Sequence, residues 1–200
     1  PDEFDLEETQ SRIENNTREL STYSRPLLSL GGDHSVSYPV IKSLKEEQPD
    51  LQLVWLDSHL DLKKKVDDHV SHDVVVRELL DHFDESDIHF IGVTRKDSDE
   101  EELLENREFD VRVPEEAEEA ARRIEGPVYL SVDIDVLRQK HAPGTGYPDG
   151  EMDPEQVRSV ISCLDVSHAD LVEVAPSLDD GRTLENARSI MEWLESALTD

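Results

Sequence analysis

Histidine and aspartate residues follow three apolar runs of this sequence, in the types and spacing expected of metal ligands. One histidine comes after Gly-Gly-Asp, and the other five residues fall in the motifs Asp-Ser-His-Leu-Asp and Asp-Ile-Asp. The six residues are His34, Asp57, His59, Asp61, Asp133 and Asp135. Because extended backbone sends alternate side chains to one face, each motif is expected to aim its side chains together.

Each of the three motifs has an ordinary explanation when it is taken alone. A lone histidine is often structural, the Asp-x-His-x-Asp triplet also occurs in solvated loops, and Asp-x-Asp fits an exposed strand end. Taken together, carboxylates crowded at buried strand ends repel one another and lose hydration unless cations neutralise them. Oxygen and nitrogen donors without a thiolate suit hard divalent metals, with Mn²⁺ favoured over Zn²⁺. The number of ligands fits two ions, so the sequence predicts a binuclear metal centre.

Short apolar runs predict the buried strands that position these ligands. The runs are Pro26–Leu30, Leu51–Leu56, Ile88–Val93, Phe109–Val113, Val128–Val132 and Leu171–Val174. The segments with helical spacing between and after them are Ser35–Lys45, His72–His82, Pro114–Ile124, Asp153–Leu164 and Thr183–Leu198, and residues 1–24 are predicted to be partly helical. This alternation predicts an α/β fold with three layers (α/β/α) and a mostly parallel sheet. Such sheets bind ligands at the carboxyl ends of their strands.

The composition argues against two classes of partner and indicates the salt and redox conditions in which the protein works. Forty-nine acidic residues against 20 basic ones give a net charge of -29, which disfavours nucleic acid and anionic membrane surfaces. The acidic residues favour a surface adapted to high salt; the alternative is an acidic protein without that adaptation. Cys163 is the only cysteine, which fits a reducing, cytoplasmic setting. No apolar run is long enough for a membrane span.

Five motifs follow one another between about residue 26 and the C-terminus. They are GGDHS (31–35), DSHLD (57–61), SVDID (131–135), APGTGYPDGE (142–151) and LVEVAP (171–176). In this order they resemble the ureohydrolases, the arginase–agmatinase family of dinuclear manganese enzymes. The resemblance implies an arginase-like fold with two Mn²⁺ per chain. The ligands it implies are His34, Asp57, Asp61 and Asp133 for one ion, and His59, Asp57, Asp133 and Asp135 for the other, with Asp57 and Asp133 shared.

The same resemblance implies catalytic roles for three residues. Glu173 is expected to hold the substrate guanidinium, and His72, in the segment VSHDVV, to lie near the departing amine. Their ordinary alternatives are an acidic surface residue and a helix-capping region. A hydroxide bridging the two ions is expected to attack the guanidinium carbon, with Asp61 relaying a proton to the amine and His72 as shuttle.

The substrate implied by the resemblance is agmatine, hydrolysed to putrescine and urea. Leu62 and three lysines (63–65) follow the second motif where arginases carry a polar segment, and SHDVVVREL also resembles the agmatinase branch. The lysine run fits either an anionic substrate tail or a solvated loop. The alternatives within the family are therefore formimidoylglutamase, guanidinobutyrase and arginase.

A non-catalytic relative is the alternative from another class. The chain is interpreted as a single ureohydrolase domain over residues 1–200 in which the usual N-terminal strands of the family are not found. A truncated relative of this kind would bind metal without turnover. Family analogy also predicts a homo-oligomer, either a trimer or a hexamer.

Overall fold

A parallel sheet forms the centre of the protein. The computed structural model describes residues 5–23, 26–66 and 69–199, and within them six strands make one sheet. The strands are β1 (Leu28–Leu30), β2 (Gln52–Leu56), β3 (Ile88–Ile91), β4 (Asp110–Arg112), β5 (Pro127–Asp133) and β6 (Asp165–Val172). Their order is β1-β6-β5-β2-β3-β4, and every neighbouring pair is parallel. The predicted parallel sheet is confirmed.

Helices connect these strands. Over the described residues the α-helices are α1 (Leu6–Ser21), α2 (Ser37–Glu47), α3 (Val75–Leu79), α4 (Ser98–Leu104), α5 (Ala117–Ala121), α6 (Pro154–Cys163) and α7 (Arg182–Ala197). The start of α6 shows why the sequence begins a helix there. Asp153 and Gln156 form a reciprocal capping box, and Pro154 occupies the first turn, where its missing N–H costs no hydrogen bond. None of the helices in the described ranges has the length and apolar character needed to cross a membrane.

The sheet separates two apolar cores. Val54 and Leu56 of β2 face a core that includes side chains of α5, α6 and α7. Leu53 and Trp55, on the alternate positions, face a second core with α2 and α3. The period of two along a buried strand therefore places one helix layer on each side, as the α/β/α prediction requires. Helix α1 lies outside α2, where Arg18 pairs with Glu46 at 2.7 Å.

Two predicted elements differ from the structure, and one further helix was not predicted. Strand β6 begins at Asp165 rather than at Leu171. The prediction missed its first residues because several of them are polar. The helix predicted at His72–His82 is a 3-10 turn followed by the five residues of α3. Helix α4 was not predicted, since its sequence is mostly acidic, yet a capping box at Asp97 begins it. The other predicted elements are present, and their ends differ from the prediction by at most three residues.

The acidic surface yields a prediction about salt. The net charge of -29 repels itself in dilute buffer, and molar KCl screens that repulsion. We expect the thermal midpoint to rise by roughly 4–8 °C between low and molar KCl, since relief of about 2 kcal/mol shifts a domain of this size by that amount. Calorimetry with EDTA in every sample keeps metal binding constant. A midpoint that stays the same would contradict the salt adaptation.

Candidate metal centre

The predicted ligands lie at and just beyond the carboxyl ends of three strands of the sheet, β1, β2 and β5, with β6 between β1 and β5. His34 opens a 3-10 turn after β1, Asp57 follows β2, and Asp133 is the last residue of β5. Asp135 lies in the 3-10 turn that continues from β5. Since all the strands run the same way, their ends bring together residues that are far apart in the sequence.

One group of ligand atoms surrounds the ring of His34. The Nδ1 atom of His34 lies 3.1 Å from Asp57 Oδ2, 3.2 Å from Asp133 Oδ2 and 3.3 Å from Asp61 Oδ2. Donor atoms of His34, Asp57 and Asp133 all lie within 4.8 Å of one another, which is close enough to share one metal ion. His34 and Asp57 are each 1% exposed, so their side chains are almost fully buried.

A second group of donor atoms overlaps the first. His59 Nδ1 lies 3.0 Å from Asp135 Oδ2 and 3.4 Å from Asp57 Oδ1, and these three residues also have donor atoms within 4.8 Å of one another. Asp57 belongs to both groups through its two oxygens. Asp133 falls in the first group only, and Asp61 falls in neither although it approaches His34. The predicted sharing of Asp133 and ligation by Asp61 stay predictions.

The electrostatics of the two groups fit divalent cations. Burial and the negative charge of Asp57 raise the pKa of both Asp61 and Asp135 to about 7. Burial, with the charges of Asp135 and Asp57, also raises the pKa of Asp133 well above its usual range. So many carboxylates can be packed together only if protons or metal cations neutralise them.

Two buried donor atoms in the first group reinforce this fit. His34 Nδ1 and Asp57 Oδ2 are buried and make no hydrogen bond of good geometry. Buried polar atoms are normally satisfied, so a pair of unsatisfied atoms facing each other needs a partner. A metal ion between an imidazole nitrogen and carboxylate oxygens supplies that partner, and the absence of sulfur favours a hard ion.

Beyond the ends of β2 and β5, turns of the backbone bring these side chains together. The prediction that the ligand motifs are extended there was wrong. Asp57 to Asp61 lie beyond the end of β2, and Asp61 adopts a left-handed conformation with φ of 50°. Glu173, just past β6, has φ of 62°. A non-glycine residue with positive φ is strained by about 1–3 kcal/mol, and such strain concentrates at functional sites. Both residues were predicted to be catalytic.

Gly150 supports the turn that carries Asp135, which gives a prediction on stability. A Cβ at Gly150 would overlap the backbone of Asp135 and Val136, which cannot give way as a flexible side chain could. We expect Gly150→Ala to lower the free energy of unfolding by about 1–3 kcal/mol or more in urea titrations. Gly146→Ala is the matched control in the same loop, since the space around Gly146 is open. Equal stability of the two variants would contradict this role.

The other two predicted site residues, His72 and Glu173, line a cavity of about 320 Å³ together with the six predicted ligands. Glu173 Oε1 accepts a hydrogen bond from the backbone N–H of His34 at 2.7 Å. The ring of His72 stacks on Tyr147 with centroids 6.0 Å apart and planes 24° apart. The structure therefore brings Asp61, His72 and Glu173 to the same cavity as the ligands.

The wall of the cavity includes residues that sequence reasoning missed. They are Asp73, Arg95, Asp97, Glu100, Tyr147 and Asp149. Tyr147 and Asp149 lie inside the motif APGTGYPDGE (142–151), whose many glycines and prolines indicate turns rather than chemistry. Arg95 precedes the unpredicted helix α4 and Asp97 caps it, in a stretch without apolar periodicity.

The lysine run divides into one lining residue and two outer residues. Lys63 lines the cavity, where its Nζ lies 2.8 Å from Asp97 Oδ2 and 3.6 Å from Asp73 Oδ2. Lys64 and Lys65 pair with glutamates at 2.9 Å outside the cavity lining. Arg95, the other cation of the wall, lies 3.3 Å from Asp149 Oδ2. Each cation of the wall thus has a carboxylate partner.

Comparison with known proteins agrees with this geometry. An agmatinase of Bacillus anthracis is 35% identical over 165 residues, which cover 76% of this chain and 56% of that protein. A guanidinopropionase of Pseudomonas aeruginosa is 34% identical over 199 residues, covering 89% of this chain and 62% of that protein. The chain thus spans a little over half the length of these relatives.

Solved structures share the fold. The agmatine ureohydrolase of Thermoplasma volcanium superposes with a TM-score of 0.87 at 25% identity, covering 98% of this chain and 70% of that one. An arginase from Bacillus caldovelox gives 0.82 at 21% identity, covering 94% and 75%, and shows likeness of fold alone. The arginase family model matches residues 2–194. The chain therefore belongs to the arginase family.

Proposed function

We propose that this protein is a dinuclear manganese hydrolase that cleaves the guanidinium group of agmatine to give putrescine and urea. The observation that carries this proposal is the pair of overlapping His/Asp groups joined by Asp57 at the base of a cavity. Membership of the arginase family and the likeness to agmatinases at up to 35% identity support it.

In this proposal His34, Asp57, Asp61 and Asp133 hold one ion, and His59, Asp57, Asp133 and Asp135 hold the other. Bound there, two divalent ions supply a hydroxide nucleophile near neutral pH by lowering the pKa of coordinated water. The set of oxygen and nitrogen donors without sulfur supports Mn²⁺.

Glu173 orients the substrate. Its left-handed backbone and its hydrogen bond from His34 N hold the carboxylate at the cavity beside the metal ligands. A carboxylate has lone pairs beyond that one bond, and it accepts N–H groups of a guanidinium in charge-assisted hydrogen bonds. Holding the guanidinium in one orientation supplies the proximity that a resonance-stabilised, weak electrophile needs.

Asp61 and His72 move the proton that the departing amine requires. Asp61 lies among the ligands, with Oδ2 at 3.3 Å from His34 Nδ1, and it also lines the cavity. A carboxylate placed beside the reacting group suits general acid–base work. His72 lines the cavity, is half-buried and stacks on Tyr147, which suits a shuttle between the cavity and solvent.

The charges of the cavity wall support agmatine as the substrate in preference to guanidines with an anionic tail. Lys63 and Arg95 already face aspartates, and further carboxylates line the same wall. An acidic wall attracts the ammonium tail of agmatine and repels a carboxylate tail.

The presence of two cations in the lining favours a second candidate substrate, a guanidino acid. Relatives named guanidinopropionase and guanidinobutyrase, at 34% and 31% identity, also favour that candidate.

Hydrolysis of a substrate panel with Mn²⁺ in high-salt buffer tests the proposal. Agmatine, arginine and guanidinobutyrate are followed by urea release, and formiminoglutamate by glutamate release. Agmatine is expected to give the highest kcat/KM, and protein dialysed against EDTA is expected to be inactive. Preference for guanidinobutyrate would select the second candidate. Bound metal without turnover of any compound would select the non-catalytic relative. The homo-oligomer and the cytoplasmic setting stay predictions.

A further inference from the structure

A chain of polar side chains lies buried beneath the metal centre and takes no part in the proposed reaction. Ser131 of β5 and Asp170 of β6 are direct neighbours in the strand register. Tyr129 is the next residue before Ser131 on the same face of β5, because alternate side chains of a strand point to one side. All three residues are 0% exposed. A buried carboxylate costs free energy unless hydrogen bonds satisfy it, so this arrangement needs a reason.

The hydrogen bonds connect Asp170 to His34. Ser131 Oγ donates to Asp170 Oδ1 at 2.7 Å, and Tyr129 OH donates to Asp170 Oδ2 at 2.7 Å. Ser131 Oγ also lies 2.8 Å from His34 Nε2. The opposite ring atom, Nδ1, is the one that faces the carboxylates of the first metal group.

We propose that Asp170, acting through Ser131, is a positioning residue that fixes the tautomer of His34 and prepares Nδ1 as a metal ligand. A serine hydroxyl carries one hydrogen, and here that hydrogen goes to Asp170. Ser131 Oγ can therefore only accept from His34 Nε2, which must carry a hydrogen. The lone pair of the neutral imidazole then sits on Nδ1. This inference rests on the metal centre of the proposed function.

The position of the His34 ring is fixed from a second direction. Its plane stacks on Trp55 with centroids 3.9 Å apart and planes 8° apart. Stacking fixes the plane of the ring but does not choose which nitrogen carries the hydrogen. Ser131 and Asp170 determine which nitrogen carries the hydrogen. The stacking contact and the hydrogen bonds together therefore fix both the orientation and the tautomer of His34.

The second histidine of the centre is held differently. His59 Nδ1 lies 3.0 Å from Ser58 Oγ and 3.0 Å from Asp135 Oδ2, and its side chain is 25% exposed. Ser131 and Asp170 thus contact the first metal group through His34 and not through His59. Loss of either residue should weaken one ion and spare the other.

Metal binding by Ser131→Ala and Asp170→Asn tests the inference. Mn²⁺ titrations followed by calorimetry and by the electron paramagnetic resonance of free Mn²⁺ give a dissociation constant for each ion. We expect one ion to bind about 10- to 100-fold more weakly in both variants and the other to bind as before, the usual effect of removing a partner of a metal-bound histidine. Ser43→Ala is the matched control, because Ser43 is as buried and bonds only within α2, to Pro39 O.

Other outcomes would overturn the inference. Unchanged affinity for both ions, or an equal loss at both, would show that Asp170 has no specific effect on His34. ¹⁵N NMR of the unaltered protein loaded with diamagnetic Zn²⁺ gives a test without any variant: a hydrogen on His34 Nδ1 rather than Nε2 contradicts the proposal. Two tightly bound Mn²⁺ without hydrolysis of any guanidine would overturn the proposed function and leave this inference in place.

Discussion

Asp57→Asn is expected to lose both metal ions and all measurable hydrolysis. Asp57 is the residue common to the two groups, with one oxygen beside each histidine. An amide supplies one neutral oxygen in place of two charged ones, so neither ion keeps its full set of ligands. The loss of affinity should exceed the about 10- to 100-fold caused by removing an outer partner of a metal ligand. Metal analysis after gel filtration, with kcat for agmatine, measures both effects.

Two comparisons make this prediction specific. Asp135→Asn removes a ligand from the second group only, so it should keep one ion. Asp84→Asn changes an exposed carboxylate outside the cavity lining and should keep both ions and full activity. If Asp57→Asn retains two ions, the two groups do not share Asp57 as a ligand.

Glu173→Gln is expected to retain both ions and to lose most of its catalytic efficiency. The glutamine oxygen can still accept the hydrogen bond from His34 N, so the local backbone should hold. The charge that attracts the guanidinium is lost, and a hydrogen bond to a charged group contributes about 1.5–3 kcal/mol. We therefore expect kcat/KM for agmatine to fall roughly 10- to 150-fold.

The matched control for Glu173→Gln is Glu151→Gln, which makes the same change at an exposed residue outside the cavity lining. Its kcat/KM and metal content should equal those of the unaltered protein. An undiminished kcat/KM in Glu173→Gln would show that the guanidinium is oriented by another residue. Loss of metal in that variant would assign Glu173 to the metal groups instead.

The residues nearest the sheet were the most predictable part of the molecule. Buried parallel strands are continuous apolar runs, and polar residues directly after such runs must lie at the carboxyl edge of the sheet. That reasoning predicts His34, Asp57 and Asp133 at this edge, where the structure has them. It works because the sheet is rigid and its strand ends are fixed by main-chain hydrogen bonds.

Loops were predicted less well, for physical reasons. The wall residues Arg95 and Asp97 belong to a connection whose path depends on ion pairs with partners far along the chain. The direction of Asp61 depends on a left-handed backbone, which an aspartate adopts only occasionally, so the residue type alone does not predict it. Asp170 was concealed because it sits inside a strand, where a charged residue usually argues against burial.

The pairing of strands distant in the chain has a consequence for how the protein folds. His34 meets Ser131 across 97 residues and Glu173 across 139. Closing loops of that length is slow, because their entropy is lost before the contacts form. A nascent chain therefore lacks the metal group around His34 until β6 is in place between β1 and β5, and metal added during refolding should stabilise the finished molecule more than it accelerates the steps before β6 forms.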